Sequence, residues 1–391
     1  MKVYLDNCRS AKVEEEVVKA MIPYFTKSYG VPSSLHSLAL EADEAIEKAK
    51  RSIALPINAS YENIIFASGV TEANNLAIKG VAYANRNRGK HIITTRIERP
   101  SVLDSCRALE REGFKVDYLK VNNEGFININ ELEELIKNDT ILVSIQHVNH
   151  VVGTIQAIKE IGKLIKEKNE SIIFHVDATD AYLKVPIDVK KCNIDVLTIP
   201  SNLIHGPQGI AALFINENVK IKPLLHGFVS LSETRPGHEN VPAIVGFGRA
   251  AEIGFAIFDD AVNKVKRLSK KLMKDIEDTF KDVVFLIGPR RRRSPFNVNY
   301  CFKYVEGEAL TLQLDMMGVY VSTGSACASR ELKVNYVLLE LGVRPEDAHG
   351  SISFCLSRYN NEEEMDYVVR CLKRAYKNLI KISMFKDRVR I

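Results

Sequence analysis

The chain has 391 residues, 46% of them hydrophobic and 26% charged, with a formal net charge of +5. That length is long for one core and favours one large and one smaller domain. So small a charge implies no general affinity for nucleic acid, and no apolar run approaches the roughly 20 residues of a membrane span. Met1-Lys-Val-Tyr-Leu-Asp6 reads directly as a strand, with no signal or transit peptide, so the cytosol is the expected location. Seven cysteines stand at 8, 106, 192, 301, 327, 355 and 371. None forms a CxxC pair, so neither a zinc ribbon nor a disulfide framework is expected.

Apolar Val17, Val18, Met21 and Ile22 predict a helix over 13–26, and a second helix follows over 39–54. A strand at 64–67 ends in the Ser68-Gly69 turn and leads into a helix reaching about residue 84. Strands at 90–94 and 116–119 then alternate with helices at 100–112 and 129–137. Further strands follow at 141–145, 172–177, 196–199 and 210–215. This alternation predicts a mostly parallel sheet covered on both faces. Residues 243–281 read as one long helical stretch joining two domains. Beyond it, strands at 283–287, 298–302 and 352–356 alternate with helices at 307–317, 334–341 and 362–382, an α+β arrangement. The expected division is 15–258 for the large domain, with 1–14 and 259–391 forming the small one. Arg290-Arg-Arg-Arg293 reads as a solvated loop, or as a contact for RNA or an acidic partner.

Several short segments occur in a telling order: Tyr4-Leu-Asp-Asn7, Pro32-Ser-Ser-Leu-His36, Asn75-Leu-Ala-Ile-Lys-Gly80, Phe174-His-Val-Asp-Ala-Thr179, Glu239-Asn-Val-Pro242 and Gly324-Ser-Ala-Cys327. By these segments the chain resembles the cysteine desulfurases over essentially its whole length. Those are pyridoxal-phosphate (PLP) enzymes of the class V aminotransferase fold. The resemblance implies an α/β, aspartate aminotransferase-like large domain, a small α+β domain, and a homodimer with sites at the subunit interface. It also implies four chemical parts: a lysine that forms an aldimine, a carboxylate at the ring nitrogen, a grip on substrate and phosphate, and a mobile cysteine.

Several of those parts are replaced. Aligning on Gly206-Pro207 and Gly209 puts Leu203 where the family has its lysine, and no lysine lies between Lys191 and Lys220. In Glu98-Arg-Pro-Ser-Val-Leu-Asp104, Arg99 takes the place of the stacking histidine, and arginine stays protonated in proteins. Ser353 replaces the arginine that holds the substrate carboxylate, and Asp180 replaces a glutamine. Pro200, Asn202 and His238 alter the phosphate grip, and His150 and Val151 replace the Asn-Glu after Asn149. Asp177 is kept at the ring-nitrogen position, Thr71 at a phosphate position, and Asn149 at its own. A blander reading stands beside two of these: Asp177 as the cap of a turn and Thr71 as a helix N-cap.

Cys327 sits among Gly, Ser and Ala, a composition suited to a flexible loop. A thiolate there can carry a persulfide or ligate a soft metal or an iron–sulfur cluster. Cys8 stands where the family has alanine, and Cys355 lies two residues after Ser353, on the same strand face. With Cys327 they read either as a candidate metal set or as unrelated buried thiols. The other four cysteines read as structural. The expected function is PLP-independent sulfur transfer or iron–sulfur cluster assembly, with PLP not covalently held and Cys327 as persulfide carrier or cluster ligand. The expected partners are a second copy of the chain and a scaffold or sulfur-acceptor protein. Two rivals stay open: a weak desulfurase holding PLP non-covalently through Asp177 and Thr71, and a non-catalytic subunit that regulates an active paralogue.

Overall fold

The short apolar runs form strands, as their length and β-branched content dictate. In the computed structural model, which describes residues 1–323 and 334–384, these are β1 (Val3–Tyr4), β2 (Ile64–Ala67), β3 (His91–Thr95), β4 (Lys115–Leu119), β5 (Thr140–Gln146), β6 (Ile173–Asp177), β7 (Val196–Pro200) and β8 (Ala211–Ile215). Later in the chain come β9 (Val284–Leu286), β10 (Asn297–Phe302), β11 (Val319–Tyr320), β12 (Ser322–Thr323) and β13 (Ser351–Cys355). Seven of them make one sheet in the order β2-β8-β7-β6-β5-β3-β4, parallel except for β8, which runs against both neighbours. Every residue of β5, β6 and β7 is buried, as expected of strands covered on both faces.

Helices Ser37–Ala54 and Val241–Ala256 pack closely on each other beside this sheet. The approach requires glycine at 248, where a Cβ would come within 2.6 Å of the Ala49 Cα. A four-stranded antiparallel sheet, β12-β13-β10-β9, is covered by helices Phe258–Phe280 and Glu362–Ile382. Val3 and Leu5 are buried in the same apolar cluster as Val265, Leu272, Phe302 and Tyr376. No single helix among the described residues is long and apolar enough to cross a membrane.

Two helical expectations are corrected, and one helix was not expected. The helix expected over 13–26 is two, Glu15–Met21 and Pro23–Thr26, because Pro23 has no N–H with which to continue the ladder. The stretch 243–281 breaks at Ile257 (φ −114°, ψ 17°), and helices Val241–Ala256 and Phe258–Phe280 diverge by 73°. Helix Ile158–Lys168, which no expectation covered, buries Ile158, Ile161 and Ile165 at three- and four-residue spacing.

Three residues of the four-arginine run, Arg290, Arg291 and Arg292, stay exposed, as a solvated loop requires, and the fourth does not. Arg290 pairs with Glu277 at 2.5 Å, and Arg292 lies over the Phe126 ring at 4.8 Å. Arg293 turns inward and donates to the Pro289 carbonyl (2.6 Å), the Asn297 carbonyl (3.2 Å) and the Ile287 carbonyl. Burial lowers its pKa to about 10, still above neutral pH. Arg293→Ala leaves those carbonyls without a donor and is expected to cost about 2–3 kcal/mol in urea unfolding. Arg290→Ala, which breaks a largely exposed pair, is expected to cost under about 1 kcal/mol.

Candidate active site

The parallel strands end on the side where Asp177 terminates β6. Its Oδ1 accepts from the Thr179 N–H (2.8 Å) and the Thr179 hydroxyl, and its Oδ2 accepts from Asn74 Nδ2 (2.9 Å). The turn-capping role is therefore present. Asn74 Oδ1 in turn accepts from Thr198 Oγ1 at 2.7 Å, and Thr198 Oγ1 lies 3.1 Å from His175 Nε2. His175 Nδ1 is 2.8 Å from Ser144 Oγ, and burial lowers the ring to a pKa of about 4, so it is neutral.

Arg99, at the start of helix Pro100–Arg111, forms an ion pair with Asp180. Burial works against the charge on Asp180, but Arg99 and Lys184 hold its carboxyl below the usual range. Its neighbour Glu98 behaves in the opposite way. Burial raises Glu98 to about 8, although its Oε1 accepts from Gln146 N (3.0 Å) and Thr95 Oγ1 (2.7 Å). Glu98 Oε2 is buried and has no hydrogen-bond partner among the described residues. His147 and His150 are neutral for the same reason, burial having lowered them to about 4 and about 3.

Cys8 and Cys355 are joined in a disulfide with Cα atoms 5.5 Å apart, across 347 residues of sequence. The expectation of no disulfide is thereby corrected. The N-terminal segment lies along the end of β13, with Asp6 bridging to Cys355, and this delivers Cys8 to its partner. Ser353 Oγ lies 3.8 Å from Cys355 Sγ, as the shared strand face requires, and Asn297 Nδ2 lies 3.7 Å from Cys8 Sγ. The disulfide borders a cavity of about 30 Å³ whose wall includes Arg9, Arg99, His150 and Ser353.

Arg99, Ser353, Cys8 and Cys355 are thus brought to one cavity. Leu203 is not; it is buried in an adjacent, mainly apolar cavity with Phe296, Leu356 and the buried Lys184. Asn149 is engaged by its own turn, accepting at 2.9 Å from the N–H groups of Val151 and Val152. Thr71 is exposed in the first turn of helix Val70–Asn75 and does not cap it, because Gly69 occupies the N-cap position. Cys327 lies outside the described residues. As a disulfide, Cys8 and Cys355 offer no thiolate, so a metal set that includes them first requires reduction. Among the described residues no group of three or more His, Cys, Asp or Glu is placed to hold a metal. Sequence reasoning passed over Asn74, His175 and Thr198. The signal for them was a histidine and a threonine inside strands otherwise apolar.

The class-V aminotransferase pattern matches residues 3–368. The cysteine desulfurase IscS of Dictyoglomus turgidum is 42% identical over 390 residues, covering 100% of this chain and 98% of that protein. Cysteine desulfurase IscS 1 of Archaeoglobus fulgidus is 41% identical over 380 residues, 97% of this chain and 98% of that one. Among solved structures, a NifS-like protein superposes with a TM-score of 0.91 at 34% identity, covering 97% of this chain and 100% of its own. A NifS-like protein from Rickettsia africae gives 0.86 at 28% identity, with 96% and 100% covered. With the seven-stranded, mostly parallel sheet and its flanking helices, these similarities make the chain a member of the class V aminotransferase family, in its cysteine desulfurase (IscS/NifS) branch.

Proposed function

We propose that this protein handles sulfur on Cys327 without a covalently held PLP, in sulfur transfer or iron–sulfur cluster assembly. The observation that carries the reading is Leu203, a side chain without an amine at the imine-forming position. The branch to which the chain belongs is PLP-dependent, so the fit of its residues to that cofactor matters. They fit it poorly. Arg99 is ion-paired with Asp180 rather than free to stack, and the cavity beside Ser353 is small, about 30 Å³. Asp177 already accepts three hydrogen bonds. The relatives named cysteine desulfurase IscS support sulfur as the cargo. A homodimer that passes sulfur to an acceptor or scaffold protein is the assembly we infer from that likeness.

The test is made on protein purified without oxygen, with and without added PLP. After treatment with a persulfide donor, the peptide holding Cys327 is expected to carry one additional sulfur, or the protein a cluster absorption; Cys327→Ser should show neither. Borohydride treatment of the PLP-loaded protein is expected to leave no pyridoxyl group on any lysine, Lys184 included. A pyridoxyl lysine, or a PLP band that shifts when cysteine is added, overturns the reading in favour of a PLP-dependent desulfurase.

A further inference from the structure

The cavity beside the Cys8–Cys355 bond has the parts of a dithiol reaction centre. Cys8 is partly exposed, whereas Cys355 is only 1% exposed. An accessible sulfur backed by a buried one is the arrangement of an attacking and a resolving thiol. Asn297 Nδ2 points at Cys8 Sγ and, once the bond is reduced, is positioned to donate to a Cys8 thiolate. Arg9, Arg99 and Asp6 line the cavity; the Arg99 charge is already met by Asp180, and Asp6 accepts a hydrogen bond from Ser322. Size narrows the co-substrate. A cavity of about 30 Å³ holds two or three water-sized groups, which favours a small co-substrate such as a hydropersulfide over a bulky organic disulfide.

We propose that the reduced Cys8–Cys355 pair converts the sulfane sulfur of a small hydropersulfide into sulfide, closing the disulfide described above. The Cys8 thiolate attacks the outer sulfur of R–S–SH. A new S–S bond forms at Cys8 as the S–S bond of R–S–SH breaks, and the leaving RS⁻ takes up the proton Cys8 lost, giving RSH. The Cys355 thiolate then attacks Cys8 Sγ and expels HS⁻, which takes the Cys355 proton to become H₂S. Two thiols are oxidised to one disulfide, and one sulfane sulfur is reduced by two electrons. A small dithiol reopens the pair. This chemistry uses no atom of Cys327 and stands apart from the proposal above.

The experiment uses full-length protein with Cys327→Ser, reduced with dithiothreitol, desalted without oxygen, and mixed with one equivalent of cysteine hydropersulfide. The expected result is a burst of one sulfide per chain, together with a peptide linking Cys8 to Cys355. Cys8→Ser should lose the burst. Cys355→Ser should stall with one extra sulfur atom on Cys8. The same protein with its disulfide left closed should give no burst, a control that depends on no substitution at the pair. Equal sulfide from the open and closed forms, or closure of the bond without sulfide release, overturns the proposal.

Discussion

Asp180→Ala is expected to destabilise the protein by up to about 3 kcal/mol, because it leaves the partly buried Arg99 guanidinium without its carboxylate. Removing both charges, as Arg99→Leu with Asp180→Ala, should cost less than the single change, since no charge is then left in low dielectric. Urea unfolding of the two singles and the double gives the coupling directly. A loss below about 1 kcal/mol for Asp180→Ala, the range of exposed pairs, would show that the two charges do not depend on each other. Because the folded carboxyl lies below its usual range, its contribution is present near neutral pH. That contribution disappears as the pH falls through the folded value.

Glu98 should give the opposite dependence. Its folded pKa is raised from 4.5 to about 8, so the folded protein holds a proton that the unfolded chain releases. The contribution is whole below the unfolded value and is lost as the pH rises towards the folded one. A shift of that size corresponds to about 5 kcal/mol at most. Glu98→Gln keeps an oxygen for Gln146 N and Thr95 Oγ1 and cannot ionise. Unfolding of both proteins should show the wild type losing stability relative to the variant between pH 5 and pH 9. An equal difference at the two pH values would mean that Glu98 titrates as an exposed carboxyl does.

The alternation of strands and helices was legible because buried parallel strands are short, apolar and bounded by turns. The breaks were not. Pro23 interrupts a pattern that stays amphipathic on both sides, and Ile257 is an ordinary apolar residue, 37% exposed, with none of the chemistry of a helix breaker. Arg99 and Asp180 read as two separate departures from the family pattern, whereas in space they are one compensated pair, 81 residues apart in sequence. No local pattern reports such a pairing. The Cys8–Cys355 bond is hidden for a similar reason. The period of the strand placed Cys355 on the face of Ser353, but only the folded path of the N-terminus brings Cys8 to it. Arg293 shows the reverse failure, a charge counted with its neighbours on the surface that the fold turns inward.

The polar chain ending at Asp177 has a direction. The Thr198 hydroxyl donates to Asn74 Oδ1, so its oxygen is left to accept from His175 Nε2–H, and His175 Nδ1 must accept from the Ser144 hydroxyl. Each proton along the line points towards the carboxylate, and Asn74 delivers the last of them. One tautomer of one histidine is therefore locked by groups on three adjacent strands and a helix. The aligned dipoles form a polarised wire that favours negative charge at the sheet end, whatever molecule the protein meets there.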